Sequence, residues 1–307
     1  MKTKLTLLLL VAILTLPAQV LAEPDYLVDS DWLSEHIDDD NLVVLEVRYH
    51  PHRYHTVGHI PGAIQVKRFS DLADNNSLTV TRFPTREQFQ ETLRRWGITF
   101  DSTIVIYDDT RTVTSARLWV LLKLYGFPMD QVKVLNGGTI AWTAFEEITQ
   151  EVTSPRNPSK IELKPADQSI FVEFPQVYDH VSMGKKSDIV LIDARPGERY
   201  AGGSHHGVAE GHIPGAINIV SMEGTDGQSQ TWLPDEDIAT LYKDLAKDKT
   251  IYVYCDDGFR MSLAYQQLTH LGYKDVRLYN GGWSHWGNWL DLPTVTGDKP
   301  FAGDFNL

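Results

Sequence analysis

The chain has 307 residues, 42% apolar and 10% aromatic, with 28 Lys and Arg against 41 Asp and Glu and a formal net charge of −13. That length suffices for one large or two ordinary domains with cores of their own. The acidic balance argues against nucleic acid and anionic membrane surfaces as partners, and the single cysteine, Cys255, excludes a disulfide within the chain.

Residues 1–22 place Lys2 and Lys4 ahead of an apolar run from Leu5 to Leu16 and close on Val20-Leu-Ala22. A basic start, a short apolar middle and a small-residue cut site predict a secretory signal peptide cleaved before Glu23, hence a periplasmic or secreted protein. The apolar run is too short for a membrane anchor, and Pro17 and Gln19 follow it. Cleavage leaves about 285 residues carrying a formal charge of −15. No later segment is apolar for long enough to cross a bilayer. Secreted chains normally use cysteines in pairs, so a lone free thiol in an oxidising compartment points to use.

Residues 23–148 read as a first domain. Short β-branched runs at 42–47, 103–107 and 132–135 predict strands, and the pattern at 116–125 predicts a helix. Residues 149–170, rich in Pro, Ser, Lys and Asp and without periodicity, predict a linker. Residues 171–290 then repeat the first domain, with strands at 189–194, 250–254 and 276–279 and a helix at 262–271. The polar segment 291–307 reads as a tail.

The repeat is explicit. Gly-His-Ile-Pro-Gly-Ala-Ile occurs at 58–64 and, identically, at 211–217. Val43-Val-Leu-Glu-Val-Arg48 answers Val190-Leu-Ile-Asp-Ala-Arg195, and Asn136-Gly-Gly138 with Trp142 answers Asn280-Gly-Gly282 with Trp286. Two copies of one domain explain this. Apolar strands separated by helices imply an α/β fold with a parallel sheet covered on both faces. In such sheets the site lies beyond the carboxyl ends of the strands.

Cys255 stands there, between the strand 250–254 and the loop Asp256-Asp-Gly-Phe259 that precedes Arg260. Loop N–H groups, the helix dipole and the Arg260 charge are expected to favour a thiolate. The first copy reads Asp108-Asp-Thr-Arg111 at the same place, with an aspartate instead of the nucleophile.

Asp193-Ala-Arg195, the GHIPGA turn, the Cys255–Arg260 loop and Asn280-Gly-Gly282 with Trp286 together resemble a tandem-domain rhodanese of the thiosulfate/3-mercaptopyruvate sulfurtransferase type, over roughly residues 25–290. The resemblance implies two tandem domains, each a small parallel sheet flanked by helices, with chemistry only in the copy bearing the cysteine. It further implies sulfane-sulfur transfer from a donor, through a Cys255 persulfide, to an acceptor such as cyanide or a thiol, and an arginine lining the site at Arg195. Loop position adds Arg260, with Asp256, Asp257, Gly258 and Phe259 forming the substrate loop. The arrangement calls for no metal, flavin or nucleotide cofactor.

The loop also departs from the family. Asp256 and Asp257 stand where thiosulfate-type members carry basic residues and mercaptopyruvate-type members carry Gly-Ser-Gly-Val-Thr. Two carboxylates oppose both an anionic donor and ionisation of Cys255, at about 2 to 3 kcal/mol per contact before screening. They either shift donor choice towards a persulfide or less charged donor, or turn outward to solvent. A second reading makes the chain a sulfur carrier or partner-binding module that docks a protein thiol. A phosphatase is disfavoured, because phosphatases of this fold use a loop one residue longer. The histidines at 50, 52, 55 and 59, and His205-His206, could hint at metal binding, but His59 has a twin in His212 within the repeated turn.

Overall fold

The computed structural model of the chain describes residues 25–154, 156–184, 188–203, 208–289 and 291–301. The leader predicted at 1–22, His205-His206 and the last six residues of the tail lie outside them.

Each half builds one five-stranded sheet in which every pairing is parallel. The first contains β1 (Leu27–Val28), β2 (Leu42–Glu46), β3 (Ile64–Gln65), β4 (Thr103–Tyr107) and β5 (Val132–Leu135), in the order β1-β5-β4-β2-β3. The second contains β6 (Phe171–Val172), β7 (Val190–Asp193), β8 (Ile217–Asn218), β9 (Thr250–Tyr254) and β10 (Asp275–Tyr279), in the matching order β6-β10-β9-β7-β8. In the first half the helices are α1 (Ser30–His36), α2 (Arg53–Thr56), α3 (Arg86–Arg95), α4 (Val113–Leu124) and α5 (Gly138–Thr143). Those of the second are α6 (Phe174–Met183), α7 (Gly197–Ala201), α8 (Asp235–Leu241), α9 (Arg260–His270) and α10 (Gly282–Trp286).

All five residues of β2 and the last four of β9 are buried, as strands covered on both faces must be. Alternate residues then feed different cores. Tyr252 and Tyr254 join an outer core with Trp283 and Trp286, whereas Ile251, Val253 and Cys255 point into a second core. That second core is continuous with Ile104, Ile106 and Leu118 of the first half. The inner faces of the two sheets are thus fused through one hydrophobic interior. α4 and α9, which follow the two loops, pack against each other within it.

The duplication persists in side-chain detail. Tyr54 stacks on His59 and Tyr200 on His212, both at 3.6 Å, and the two tyrosine hydroxyls donate to Ala63 O and Ala216 O. The domain boundary is nearly symmetric as well: Asn136 accepts from the Trp232 amide at 2.9 Å, and Asn280 from the Phe83 amide at 3.0 Å.

The predicted linker is not loose. Ile161 and Leu163 are buried, and Thr149 pairs with His59. The tail does the same for the second domain, where Val295 pairs with His212. The short outer strands β1, β3, β6 and β8 were not anticipated, since two residues carry no readable periodicity.

Candidate active site

Cys255 sits where β9 ends and its loop turns into α9. Its Sγ accepts from the Gly258 N–H at 3.1 Å and from the backbone of Met261. The loop is also held from behind, because its carbonyls at Cys255 and Asp256 accept from the amides of Trp283 and Ser284 at 2.8 and 3.0 Å. That approach needs a glycine at the start of α10. A Cβ on Gly282 would lie 2.6 Å from Cys255 O, and one on Gly138 would lie 2.1 Å from Asp108 O. The repeated Asn-Gly-Gly thus lets a helix meet the functional loop backbone to backbone.

The expected thiolate needs correction. Cys255 is 0% exposed, and burial, then Asp257 and Asp256, push its thiol up to about 12 against the Met261 backbone and Arg260. Loss of hydration outweighs the loop dipoles and one guanidinium, so the resting side chain is a neutral thiol at pH 7.

Asp256 turns inward rather than to solvent. It is 5% exposed and pairs with Arg199, with Arg195 Nη1 at 3.6 Å and Arg260 Nη1 at 3.7 Å. Asp257 is half-buried. Burial, then Asp256, raise its carboxyl, while Arg117, Arg260 and Arg68 act the other way. Five arginines therefore surround the two carboxylates expected to oppose an anionic donor.

Arg195, expected along the site, is fully buried. Its Nη2 lies 2.6 Å from Asp193 Oδ2 and donates to Gly211 O at 2.7 Å, and the guanidinium stacks over Trp283 at 4.4 Å. Arg48 repeats this in the copy without a cysteine, pairing with Glu46 at 2.7 Å and donating to Gly58 O at 3.0 Å. The arrangement belongs to the framework of each domain, and Arg195 reaches the loop only through Asp256.

A cavity of about 480 Å³ opens between the domains, where Arg68, Asp109 and Arg111 of the first meet Asp257, Phe259 and Arg260 of the second. Its wall is formed by the neighbours of Cys255 rather than by Cys255 itself.

A rhodanese-like domain family matches residues 29–145 and, again, residues 176–288. The chain belongs to the rhodanese family. It is 34% identical to the sulfur carrier protein TtuD of Thermus thermophilus over 91% of this chain and 99% of that one. It is 29% identical to the 3-mercaptopyruvate sulfurtransferase of Escherichia coli strain K12, over 87% and 97% of the two chains. The crystal structure of SseA from Escherichia coli superposes with a TM-score of 0.73 at 25% identity, covering 84% of this rhodanese and 98% of SseA.

Three first-domain arginines were not singled out from the sequence: Arg68 and Arg111 on the cavity wall, and Arg117 beneath the loop. Arg117 left a trace, as an arginine amid the apolar run of α4. Arg68 left none. Among the described residues no group of three His, Cys, Asp or Glu side chains is placed to hold a metal ion. His59 and His212 are stacked and hydrogen-bonded inside their repeated turns.

Proposed function

We propose that this rhodanese is a sulfurtransferase in which Cys255 carries the sulfur and the interdomain cavity receives a small anionic donor, thiosulfate or a related persulfide. The observation that carries the reading is the Cys255 loop itself: a nucleophile at a strand end, amides directed at its sulfur, and an arginine-rich cavity alongside. Cys255 releases its thiol proton to solvent as the donor seats, and its sulfur bonds to the donor's outer sulfur. The donor's bond to that sulfur breaks, S–S in thiosulfate or a persulfide and C–S in 3-mercaptopyruvate, and sulfite, a thiolate or the enolate of pyruvate leaves with the electron pair. A nucleophilic acceptor, cyanide or a thiol, then attacks the outer sulfur of the persulfide, and the Cys255 thiolate is regenerated.

The test is intact mass after incubation with thiosulfate and, separately, with 3-mercaptopyruvate. Gain of one sulfur atom on the wild type and none on Cys255→Ser is expected, with thiocyanate released when cyanide follows. A mass unchanged by every donor would end the reading.

One observation favours a second reading. A buried, weakly acidic Cys255 suits a carrier that holds sulfur for a protein thiol and turns over slowly on small molecules. Persulfide formation without thiocyanate release, together with sulfur handed to a protein thiol, would separate the two.

Export is part of the proposal and rests on residues 1–22 alone. A periplasmic or secreted product beginning at Glu23 is the expected mass; an intact leader on the mature protein would refute it.

A further inference from the structure

Arg117 is a fully buried arginine on α4 of the domain that lacks the cysteine. Its Nε donates to Leu72 O at 3.0 Å, and its Nη2 donates to Leu72 O and Thr81 O, both at 2.6 Å. Its Nη1 crosses the domain boundary and donates to the carbonyl of Asp257 at 3.0 Å. The guanidinium lies over the Phe83 ring at 4.0 Å and near that of Phe259 at 4.8 Å. A guanidinium held by carbonyls in a hydrophobic interior is costly unless an anion faces it. The acidic groups whose negative charge acts on it are the Asp257 carboxyl and, once its thiol proton has left, the Cys255 sulfur.

The peptide unit joining Asp257 to Gly258 connects the two ends. Its carbonyl oxygen accepts from Arg117, and its N–H donates to Cys255 Sγ at 3.1 Å. A donor on the oxygen withdraws electron density from the amide nitrogen, so the N–H becomes a stronger donor. Gly258 fits this arrangement in both respects. Its φ is +87°, and a Cβ there would fall 2.1 Å from Arg117 Nη1.

We propose that Arg117 is a positioning residue for the sulfur chemistry: from the non-catalytic domain it fixes and polarises the 257–258 peptide unit, and through it stabilises negative charge on the Cys255 sulfur. The other charged groups around that sulfur are Asp256 and Asp257 in the loop and Arg260 at the start of α9, with Arg68 of the first domain acting on Asp257. Arg117 is the one among them whose hydrogen bond leads to the sulfur through a single peptide unit. An apolar side chain would fill the same interior without the cost of a buried charge, so packing alone does not account for an arginine here. The catalytic consequence rests on Cys255 being the sulfur carrier; the hydrogen-bond chain does not.

The experiment compares wild type, Arg117→Met and Arg117→Lys in two readouts that need no turnover. The first is the amide proton shift of Gly258. The second is the rate at which Cys255 reacts with methyl methanethiosulfonate at pH 8. Arg117→Met should move the Gly258 proton upfield and slow the reaction about tenfold, the loss of one charge-assisted hydrogen bond. Arg117→Lys should move both in the same direction by less, and keeps the test available if Arg117→Met does not fold. A strut without electrostatic effect predicts the opposite sign, because a loosened loop exposes a buried thiol and speeds its modification. A stationary Gly258 resonance or a faster reaction in a folded variant overturns the proposal. Failure of wild type to form a persulfide would instead remove the sulfurtransferase reading and leave these two readouts standing.

Discussion

In the first domain β4 is followed by Asp108, whose carboxylate accepts from the backbone N–H groups of Thr110, Thr112, Thr114 and Ser115 at 2.8 to 3.1 Å and from the Thr114 hydroxyl at 3.0 Å. In the second, β9 is followed by Cys255, whose sulfur accepts from Gly258 and Met261. The first loop holds Arg111 and Thr112 at φ of +58° and +66°, whereas the second has Gly258 at +87°. Both loops form a concave array of amides at a strand end, which is a site for an anion. In the first copy the chain fills it with its own carboxylate. In the second the site holds a neutral thiol. A sulfur atom bonded to Cys255 Sγ would stand two bonds from Cβ, as an Asp108 carboxylate oxygen does. The Asp108 loop thus holds, in a permanent side chain, the arrangement proposed for a Cys255 persulfide.

The most direct way to break this comparison is Cys255→Asp, which turns the second loop into a copy of the first. Sulfur transfer should fall by a factor on the order of 10³ or more, as for loss of any nucleophile, while thermal unfolding stays close to wild type because the amides accept the new carboxylate. A collapse of the melting temperature would mean that the two loops are not equivalent. Next come the framework arginines. Arg195→Ala and Arg48→Ala each strand a buried carboxylate, Asp193 or Glu46, and should each cost about 3 to 5 kcal/mol in denaturant unfolding. A large loss for Arg195 alone would show that Arg48 and Glu46 do not brace the first domain as Arg195 and Asp193 brace the second.

The comparison sharpens with pH. Burial lifts the Glu46 carboxyl from its ordinary 4.5 to about 7. Unfolded Glu46 releases its proton near 4.5 while the folded one keeps it, so stability contributed by Glu46 is full below pH 4.5 and is lost as pH rises to about 7. Glu46→Gln should flatten that segment of a stability–pH curve, and an unchanged slope would count against it. The smallest effect belongs to the cavity wall. Arg68→Gln should raise the KM for thiosulfate by roughly tenfold with kcat little changed; unaltered steady-state constants would remove Arg68 from donor binding.

The inner strands could be read from the sequence because burial on both faces forces unbroken β-branched runs, as in Thr103–Tyr107 and Thr250–Tyr254. The location of Cys255 was equally legible, since the strand, the loop and the Asp108 counterpart are all sequential. What escaped was everything set by how the halves meet. Nothing local says that Asp256 turns towards Arg195, Arg199 and Arg260, or that the face of α4 carrying Arg117 looks at the other domain's loop. The state of the thiol escaped for a related reason, because dipoles and charges can be counted along a chain whereas desolvation depends on what covers the atom.

The pairing of Thr149 with His59 and of Val295 with His212 bears on the ancestry of the chain. Each half is sealed by the segment that runs on beyond its last helix, and Trp142 and Trp286 donate into those segments at Glu147 O and Pro293 O. The ancestral gene unit that was doubled therefore extended past the globular sheet to include its own closing strap. What lies between the halves is in part the inherited end of the first one, put to a second use as the bridge.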